Sequence, residues 1–379
     1  MKILHLCLSS FYIDGYGYQE NYLPIVNQED GHEVMIVAST ETYQDGEYHY
    51  LEPSTYFTET NIPITRIPYA GFPHSIAKKI RRYVGLEELL YEFDPDVILF
   101  HGVCAYDIKV VARFKQQRPN LKFYVDSHTG LHNSASNFIS KNVLHKGLYK
   151  SWLHQALPYI GKVFYIGLDE KKYLEEIMGI PEDRMEYYPL GGIVIDETEK
   201  YQRRKKVVAA QNFCHDNIIF VHSGKLDEKK RTDSLLRAFT KVKDQRFRLL
   251  IIGSVNDEYH DILLPLVSGD NRIKMLGWKS REELLDYLCA ADMYLQPGSV
   301  SATLQNAICC GTPVMTYPHG SYKYFVNDNA VTVKDEDDIY NVLVDVSNSK
   351  YDLDEMSKAS YSVAREILDY RMLATRLYR

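Results

Sequence analysis

Short apolar runs alternate with segments of helical period along this chain, and the alternation restricts its fold more than any other feature. Continuous apolar runs are typical of parallel strands, because helices cover both faces of a parallel sheet. In the first half of the chain the predicted strands lie at 2–8, 33–38, 97–100, 123–125 and 163–166. In the second half they lie at 218–222, 248–252, 273–275, 293–295 and 313–316, with 330–333 as a candidate last strand.

Two successive sets of strand–helix units predict an α/β fold with two Rossmann-like, doubly wound domains. The length of 379 residues agrees, since a single core rarely grows beyond about 250–300 residues. Helices are predicted at 76–93, 232–243, 281–290 and 356–379. The PLGG segment at 189–192 breaks the pattern and gives domains of 1–192 and 193–359. We interpret the basic run at 203–206 as a solvated linker or a helix start.

Composition narrows the class of protein. The net charge of −7 disfavours nucleic-acid binding, and no run of about 18 apolar residues is present to span a membrane. The N-terminal segment reads as a first buried strand and not as a signal peptide. No CxxC pair exists, so the cysteines are predicted to be reduced, packed thiols in a cytoplasmic protein: Cys7, Cys104, Cys214, Cys289, Cys309 and Cys310.

A glycine–lysine turn follows the first predicted strand of the second domain. Ligands of open α/β sheets bind beyond the carboxyl ends of the strands, so Gly224, Lys225 and Lys230 are placed at the ligand edge. Two lysines five positions apart can hold a diphosphate from two sides, each ammonium acting as a point charge. The alternative is a solvated basic turn, which is our interpretation for Lys229 and Arg231.

A second turn leads into a small-residue helix further along the same domain. Gly298 permits a tight turn, and Ser299 or Ser301 can cap the helix that follows, in a segment that continues through Thr303. Free backbone N–H groups and the helix dipole at such a start favour an anion, so the segment is predicted to face a phosphate. The alternative is an ordinary capped helix.

These segments resemble, in order and spacing, the C-terminal half of retaining GT-B glycosyltransferases of the group-1 (family 4-like) type. That family's pattern is Gly-Arg-Leu-Asp with a later Lys, a Leu-Gly-aromatic turn, and Pro-Ser…Glu-x7-Glu-Ala…Gly-x-Pro-Val. The matching stretches here are GKLD at 224–227 with Lys230, LGW at 276–278, and GTPV at 311–314. The acidic pair is absent: Gln305 stands at the position matched to the second Glu, and no acidic residue lies between Asp292 and Asp328.

The resemblance implies a donor site that is built mainly by the second domain. Lys225 and Lys230 would bind the diphosphate, and Gln305 a ribose hydroxyl, more weakly than the charged Glu that it replaces. Trp278 would contact the nucleobase or only pack its own turn. In the first domain, a Gly-x-Gly loop after the first strand would approach the same diphosphate. The predicted donor-binding residues are Gly15, Gly17, Gly224, Gly253, Trp278, Gly298, Ser299, Ser301, Thr303 and Gln305.

The first domain offers a histidine in the place where family members carry one near the donor sugar and the acceptor. By this resemblance His128 is predicted to be catalytic, together with Lys225 and Lys230. Asp126 orients His128 or only caps the turn. His101, in a second loop after a strand, is predicted to lie with Asp126 on the acceptor side.

A basic segment of the first domain carries Lys78, Lys79, Arg81 and Arg82 on a predicted helix. Such helices bind anionic membrane surfaces, and the resemblance implies a glycan or lipid-linked acceptor. The predicted location is cytoplasmic, either with peripheral docking to the inner face of the membrane or with this segment as a solvated helix face. The resemblance also implies that a C-terminal helix at about 360–379 packs back on the first domain.

The implied activity is transfer of a sugar from a nucleotide-diphosphate sugar to a hydroxyl acceptor with retention, by a hexosyltransferase-like enzyme of polysaccharide or glycolipid assembly. Protein cations would replace a metal, so we expect no metal and no other cofactor. The missing acidic pair leaves open a catalytically weakened accessory subunit of a glycosyltransferase complex, although such a subunit would have no reason to keep Lys225 and Lys230. A sugar-nucleotide epimerase is a third alternative, but the second domain shows no clear set of carboxylates at its strand ends.

Overall fold

The structure, a computed structural model, describes residues 1–44, 47–71, 73–130, 140–255 and 257–379 of the chain. It divides into two compact units. Unit 1 comprises Met1–Leu190 and Leu373–Arg379, and unit 2 comprises Gly191–Met372. Each unit is built around its own mainly parallel sheet.

Unit 1 contains an eight-stranded sheet and a separate two-stranded hairpin. In chain order the strands are β1 (Lys2–Cys7), β2 (Glu33–Ser39), β3 (Glu41–Gln44), β4 (Glu47–Tyr50), β5 (Ser54–Phe57), β6 (Pro63–Ile67), β7 (Val97–His101), β8 (Lys122–Ser127), β9 (Val163–Tyr165) and β10 (Met185–Tyr187). The sheet order is β10-β9-β8-β7-β1-β2-β6-β5, and β3 pairs with β4 in the hairpin. Only the β5–β6 pair of the sheet is antiparallel, so the carboxyl ends of β1, β7 and β8 lie side by side.

The central strand β1 shows why this sheet forms. Ile3, Leu4 and Leu6 are fully buried, as expected for a strand that is covered on both faces. His5, at the middle of the same strand, is also fully buried and is the polar exception. The five strands predicted for this half of the chain are all present, so the apolar runs identify the sheet correctly.

The helices of unit 1 include one clear departure from the sequence prediction. They are α1 (Gln19–Glu29), α2 (His74–Ile80), α3 (Leu86–Phe93), α4 (Ile108–Gln116), α5 (Lys150–Ala156) and α6 (Leu168–Tyr173), with π-helical segments Ser140–Tyr149 and Leu174–Met178 and 3-10 turns Leu157–Tyr159 and Glu182–Arg184. The single helix predicted at 76–93 is wrong, because the chain breaks between α2 and α3. Arg81 (φ 52°) and Gly85 (φ 85°) have left-handed backbone conformations, which end a right-handed helix.

Unit 2 contains a six-stranded sheet in which every pair is parallel. Its strands are β11 (Ile218–Ser223), β12 (Phe247–Ile252), β13 (Ile273–Met275), β14 (Met293–Gln296), β15 (Val314–Thr316) and β16 (Ala330–Thr332). The sheet order is β13-β12-β11-β14-β15-β16, and each predicted strand agrees within one residue at each end. The carboxyl ends of β12, β11 and β14 are neighbours, which places the predicted donor loops at one edge.

The helices of unit 2 cover this sheet. They are α7 (Glu197–Gln211), α8 (Thr232–Lys241), α9 (Asp257–Ser268), α10 (Arg281–Ala290), α11 (Thr303–Cys309), α12 (Glu336–Ser347), α13 (Leu353–Val363) and α14 (Tyr370–Thr375), which crosses into unit 1, with 3-10 turns Glu228–Lys230 and Gly320–Tyr322 and a π-helical segment Ala364–Leu368. The basic run at 203–206 belongs to helix α7 and not to a linker. Asp196 caps α7 by accepting from the N–H of Glu199 at 2.8 Å, and Arg203 pairs with Asp286 on α10 at 2.7 Å. No helix in the described ranges is both long and apolar enough to cross a bilayer.

Candidate functional site

Two glycines of unit 2 bring the ends of neighbouring strands together. Gly224 follows β11 and Gly253 follows β12, and both have a φ of 143°, which L side chains rarely adopt. A Cβ on Gly253 would lie 1.8 Å from the carbonyl oxygen of Gly224, and the N–H of Gly224 donates to Ile252 at 3.0 Å. Only glycine fits at Gly253, so bare backbone lines this edge of the predicted donor site.

The buried side chain of Lys230 connects this edge to the second predicted phosphate segment. Its Nζ donates to the carbonyl oxygens of Ser299 at 3.0 Å and Val300 at 3.1 Å. The backbone adds two close contacts, since a Cβ on Gly298 would lie 2.2 Å from the Lys229 oxygen, to which the N–H of Ser299 donates at 2.8 Å. The structure therefore brings Lys230, Gly298 and Ser299 together.

The charge of Lys230 has no carboxylate partner at close range. Burial lowers the pKa of Lys230, and Asp227 raises it only in part. No ion pair joins Lys230 to a carboxylate in the part of the chain that the structure describes, and its two acceptors are neutral carbonyls. Lys225 is exposed on the same loop, and no described residue pairs with it. Uncompensated ammonium charges at a glycine-lined edge favour an anionic ligand.

The predicted helix start is present, although the helix is short. The Oγ of Ser301 accepts from the N–H of Thr303 at 3.3 Å, but the N-cap residue of the seven-residue helix α11 is Ala302, so the predicted cap by Ser299 or Ser301 is wrong. Gln305 is buried on the first turn. With its amide nitrogen toward the loop, it donates to the carbonyl oxygens of Ser301 at 3.1 Å and Ala302 at 3.2 Å. The amide of Gln305 thus fixes the start of its own helix, and its predicted contact with a ribose hydroxyl stays a prediction.

Trp278 extends from the turn that follows β13. Its side chain is 71% exposed, and Gly277 before it has a left-handed φ of 67°. The N–H of Gly253 donates to the carbonyl of Gly277 at 2.9 Å, so the turn of Trp278 lies directly beside the glycine pair. An exposed indole at this position offers a flat face to a ring, which is compatible with the predicted nucleobase contact.

In unit 1, the glycine-rich loop lies between β1 and α1. Gly15 has a left-handed φ of 73°, and no atom lies within 4 Å of the position where its Cβ would be. Gly17 follows two residues later and is half-buried. Asn21 anchors the loop, because its Nδ2 donates to the carbonyl of Ile13 at 2.9 Å and its Oδ1 accepts from the N–H of Tyr18 at 3.3 Å.

The three predicted polar residues of unit 1 form one cluster at the carboxyl ends of β7 and β8. His101 Nδ1 lies 2.6 Å from Asp126 Oδ2, and His128 Nε2 lies 3.4 Å from Asp126 Oδ1. The N–H of Gly102 donates to the same Oδ1 at 2.8 Å. Asp126 and His101 are fully buried. Asp126 therefore contacts both histidines and also fixes the adjacent turn.

Opposing effects set the charge of His128. Burial lowers the pKa of His128, but Asp126 and then Glu20, whose Oε1 lies 3.9 Å from Nε2, raise it to about 9. Burial also disfavours the charge of Asp126, yet His101 and His128 hold the pKa of this carboxyl well below its usual range. At neutral pH an imidazolium at His128 faces a carboxylate at Asp126. His128 is then a donor of hydrogen bonds and not a base.

Sequence analysis missed two members of this cluster, Glu20 and His5. His5 Nδ1 lies 3.1 Å from His101 Nε2, and its Nε2 lies 2.8 Å from Asn27 Oδ1. Burial, followed by His101, lowers the pKa of His5 to about 3, so His5 is neutral. A histidine inside the apolar run of β1 is the signal that could have revealed His5. Nothing in the local sequence distinguishes Glu20 from a solvated residue on α1.

Two family models match this chain. Residues 203–363 match the model described as glycosyl transferases group 1, and residues 28–191 match the glycosyl transferase 4-like domain. The chain belongs to the group 1 glycosyltransferases. The prediction of a group 1 glycosyltransferase is thereby confirmed, and its retaining mechanism stays a prediction. No curated protein sequence matches this glycosyltransferase.

Solved structures share the fold of this chain along almost its whole length. A glycosyltransferase from Rickettsia africae has a TM-score of 0.70 at 14% identity, over 99% of this chain and 96% of that chain. HepE from Anabaena, in complex with UDP, has a TM-score of 0.67 at 14% identity, over 99% and 98%. Sucrose-phosphate synthase from Thermosynechococcus elongatus has a TM-score of 0.66 at 14% identity, over 99% and 96%. The predicted α/β fold of GT-B type, with two Rossmann-like domains, is confirmed.

A metal ion is one conceivable ligand of the cluster in unit 1 of this glycosyltransferase. Glu20, His101 and His128 present ligand atoms within 4.8 Å of one another. However, both ring nitrogens of His101 already make hydrogen bonds, to His5 and to Asp126, and a protonated His128 would first have to lose its proton. We therefore interpret the cluster as a hydrogen-bonded network, and the metal-free site stays a prediction.

The basic segment of this glycosyltransferase does not form one surface. Lys78 forms an ion pair with the fully buried carboxylate of Glu41, and Arg81 turns its guanidinium inward. Lys79 and Arg82 are exposed. Of the four residues predicted for a membrane surface, these two are the ones that present charge to the solvent.

Proposed function

We propose that this glycosyltransferase takes a sugar from a nucleoside-diphosphate sugar and transfers it to a hydroxyl acceptor with retention and without a metal ion. The observation that carries the proposal is the buried ammonium of Lys230, whose partners are carbonyls and which lies at the glycine-lined edge of the unit 2 sheet. A departing diphosphate gains negative charge in the transition state. A preformed cation stabilises that charge without further reorganisation.

The two lysines have different parts in this proposal. Lys230 is held by two hydrogen bonds and is assigned to the diphosphate directly. Lys225 is exposed and adds a second positive charge from the solvent side. Helix α11 has only seven residues, so its dipole is a minor contribution beside these charges.

Unit 1 is proposed to supply His128 and the acceptor site. Because the imidazolium of His128 donates hydrogen bonds, we assign it to a hydroxyl of the donor sugar or of the acceptor, and not to general-base catalysis. The acceptor oxygen then forms the new bond to the sugar while the bond to the diphosphate breaks. In this scheme the acceptor proton passes to the departing phosphate oxygen.

Isothermal titration with UDP, GDP, ADP, CMP and dTDP, with and without EDTA, tests the donor site. UDP comes first, because HepE carries UDP in its solved structure. We expect one nucleotide to bind saturably and independently of EDTA. Lys230→Ala should weaken this binding by about 1.5–3 kcal/mol, or about 10- to 150-fold, since one charge-assisted contact is lost.

Lys229→Ala is the matched control. Lys229 is exposed, and its backbone carbonyl accepts from the N–H of Ser299 at 2.8 Å, a contact that the alanine variant keeps. This variant should bind the nucleotide as tightly as the wild type. Equal losses in the two variants, or unchanged binding in a folded Lys230→Ala variant, would remove Lys230 from the donor site.

An accessory subunit is the second candidate function, and one observation favours it. Gln305 replaces the acidic residue of the family, and with its amide nitrogen toward the loop it bonds to the carbonyls of Ser301 and Ala302. If the folded wild-type protein binds none of the five nucleotides, the accessory-subunit function replaces the proposed transferase function. A partner glycosyltransferase would then be sought before any assay of activity.

We also propose peripheral docking to anionic membranes through the exposed Lys79 and Arg82, in keeping with assembly of a polysaccharide or a glycolipid. Ile76 is 53% exposed and Val84 is 55% exposed on the same segment, which provides an apolar complement to the charges. Replacing both Lys79 and Arg82 by Glu should abolish cosedimentation with phosphatidylglycerol vesicles, since each cation contributes about 1 kcal/mol. Lys229→Glu, on unit 2, is the control, and equal binding by all variants would exclude this surface.

A further inference from the structure

Arg81 occupies a backbone position that usually belongs to glycine. It ends helix α2 with a left-handed φ of 52°, and a side chain in this conformation carries a steric cost. The guanidinium turns inward, and its Nη1 donates to Ser9 Oγ at 3.0 Å and to the carbonyl of Cys104 at 3.3 Å. The side chain is partly buried and keeps some exposure to solvent.

The charge of Arg81 is not balanced by an acid. Two other partly or fully buried basic side chains of unit 1 are paired, Lys78 with Glu41 and Arg66 with Asp14. For Arg81 the described residues provide no carboxylate within ion-pair distance, and its two acceptors both bond to Nη1. A guanidinium has five N–H donors, so most of its capacity is not used by these contacts. A desolvated cation without a counter-charge favours an anionic ligand.

Polar groups without negative charge surround this guanidinium. Ser9 Oγ also accepts from the N–H of Cys104 at 3.0 Å. Cys104 Sγ lies 3.9 Å from His145 Nδ1. Burial, followed by the charge of Arg81, lowers the pKa of His145 to about 4, so His145 is neutral and does not add to the positive charge.

The same cluster adjoins the candidate catalytic histidine. Cys104 Sγ lies 4.0 Å from Thr129 Oγ1, and Thr129 is the residue after His128. Ser9 and Cys104 follow β1 and β7, and β7 ends in His101 of the His101–Asp126 pair. A ligand group held by Arg81 would therefore lie at the carboxyl edge of the unit 1 sheet, where the acceptor is proposed to bind.

We propose that Arg81 binds an oxyanion, a phosphate or a carboxylate, that belongs to the acceptor. The planar fork of a guanidinium matches either group through two parallel hydrogen bonds, and Ser9, which contacts Nη1, supplies a further hydroxyl. The inference rests on the proposed function and deepens it, because it makes the acceptor an anionic molecule such as a phosphorylated or an acidic glycan.

Titration of the full chain with inorganic phosphate and, separately, with glucuronate tests this site and distinguishes the two kinds of oxyanion. Each titration is made with and without UDP, so that anion binding at the donor site is recognised by competition. We expect the wild type to bind one of the two anions in a manner that UDP does not displace. Arg81→Met should abolish this binding, whereas Arg113→Met, at an exposed arginine of the same unit, should retain it.

Arg81→Lys keeps the positive charge but lacks the planar fork of the guanidinium. It provides a second test in case Arg81→Met does not fold. It should weaken anion binding about tenfold, since a bidentate contact becomes a point contact. Two outcomes overturn the inference. In the first, Arg81→Lys binds the anion as tightly as the wild type, in a manner that UDP does not displace. In the second, the wild type binds neither anion in this manner. Failure of UDP itself to bind contradicts the proposed donor site and leaves the comparison of the Arg81 variants valid.

Discussion

At the scale of single residues, the charge of His128 is the most testable feature of unit 1. Its pKa is raised from 6.5 to about 9, so the ion pair with Asp126 stabilises the fold fully below pH 6.5 and is lost as the pH rises through about 9. The shift corresponds to at most about 3 kcal/mol of unfolding free energy. The measurement is urea denaturation of the wild type and His128→Gln between about pH 6 and pH 10. The difference between their unfolding free energies should shrink by up to that amount as the pH rises.

The control for this experiment is His260→Gln, at an exposed histidine of unit 2. Its difference from the wild type should stay nearly constant over the same range of pH. If the difference for His128→Gln is also constant, the pKa of His128 is not raised in the folded protein, and the imidazole is neutral above about pH 7. Its assignment as a hydrogen-bond donor to a sugar hydroxyl would then have to be given up.

Single residues also show what a sequence can predict. Lys230 and Gly253 were predictable, because each lies in the loop that follows an apolar strand, where ligands of parallel sheets bind. Glu20 and His5 were not, since their roles arise from contacts over long separations. Glu20 meets His128 at 3.9 Å, and His5 meets His101, 96 residues further along the chain, at 3.1 Å.

At the scale of elements, the contact between the ends of β11 and β12 shapes the donor edge. A Cβ on Gly253 would overlap the Gly224 carbonyl at 1.8 Å, and the φ of 143° at Gly253 is itself strained for any other residue. Gly253→Ala should therefore lower the unfolding free energy by about 3 kcal/mol or more and abolish nucleotide binding. Gly269→Ala, where the nearest atom lies at 3.9 Å, should change neither, as measured by denaturation and titration. A Gly253→Ala variant as stable as the wild type would show that the two strand ends do not meet.

The elements themselves were predictable to different degrees. Apolar runs identify strands of a covered parallel sheet because burial on both faces leaves little room for polar residues. The break at Arg81 and Gly85 was not predictable, because the apolar pattern of 76–93 continues through it and Arg81 adopts a conformation that glycine usually takes. The hairpin of β3 and β4 also escaped prediction, since its strands are short and polar.

At the scale of the whole molecule, the last residues of the chain belong to unit 1 although unit 2 precedes them. Leu373 and Leu377 are fully buried, the Oη of Tyr188 donates to the carbonyl of Leu373 at 2.8 Å, and the Nζ of Lys122 donates to the carbonyl of Tyr378 at 2.9 Å. No local pattern in the sequence shows which unit these residues join. These residues are far in sequence from the rest of unit 1, so only their long-range contacts show that they belong to it.

Removal of residues 373–379 should therefore destabilise unit 1 selectively. Burial of two leucine side chains contributes up to about 3–6 kcal/mol, and the truncated chain also loses the hydrogen bonds to Tyr188 and Lys122.

Hydrogen exchange resolved by peptide is the suitable measurement, because one melting temperature does not describe a protein of two domains. In the truncated chain, the protection of backbone amides from exchange should fall in β8, β9 and β10 and stay unchanged in β11 and β12. The control is deletion of the exposed Arg379 alone, which should leave the protection of both units unchanged. Equal losses in the two units would mean that the segment stabilises the chain as a whole, and unchanged protection in unit 1 would show that its buried leucines contribute nothing to that unit.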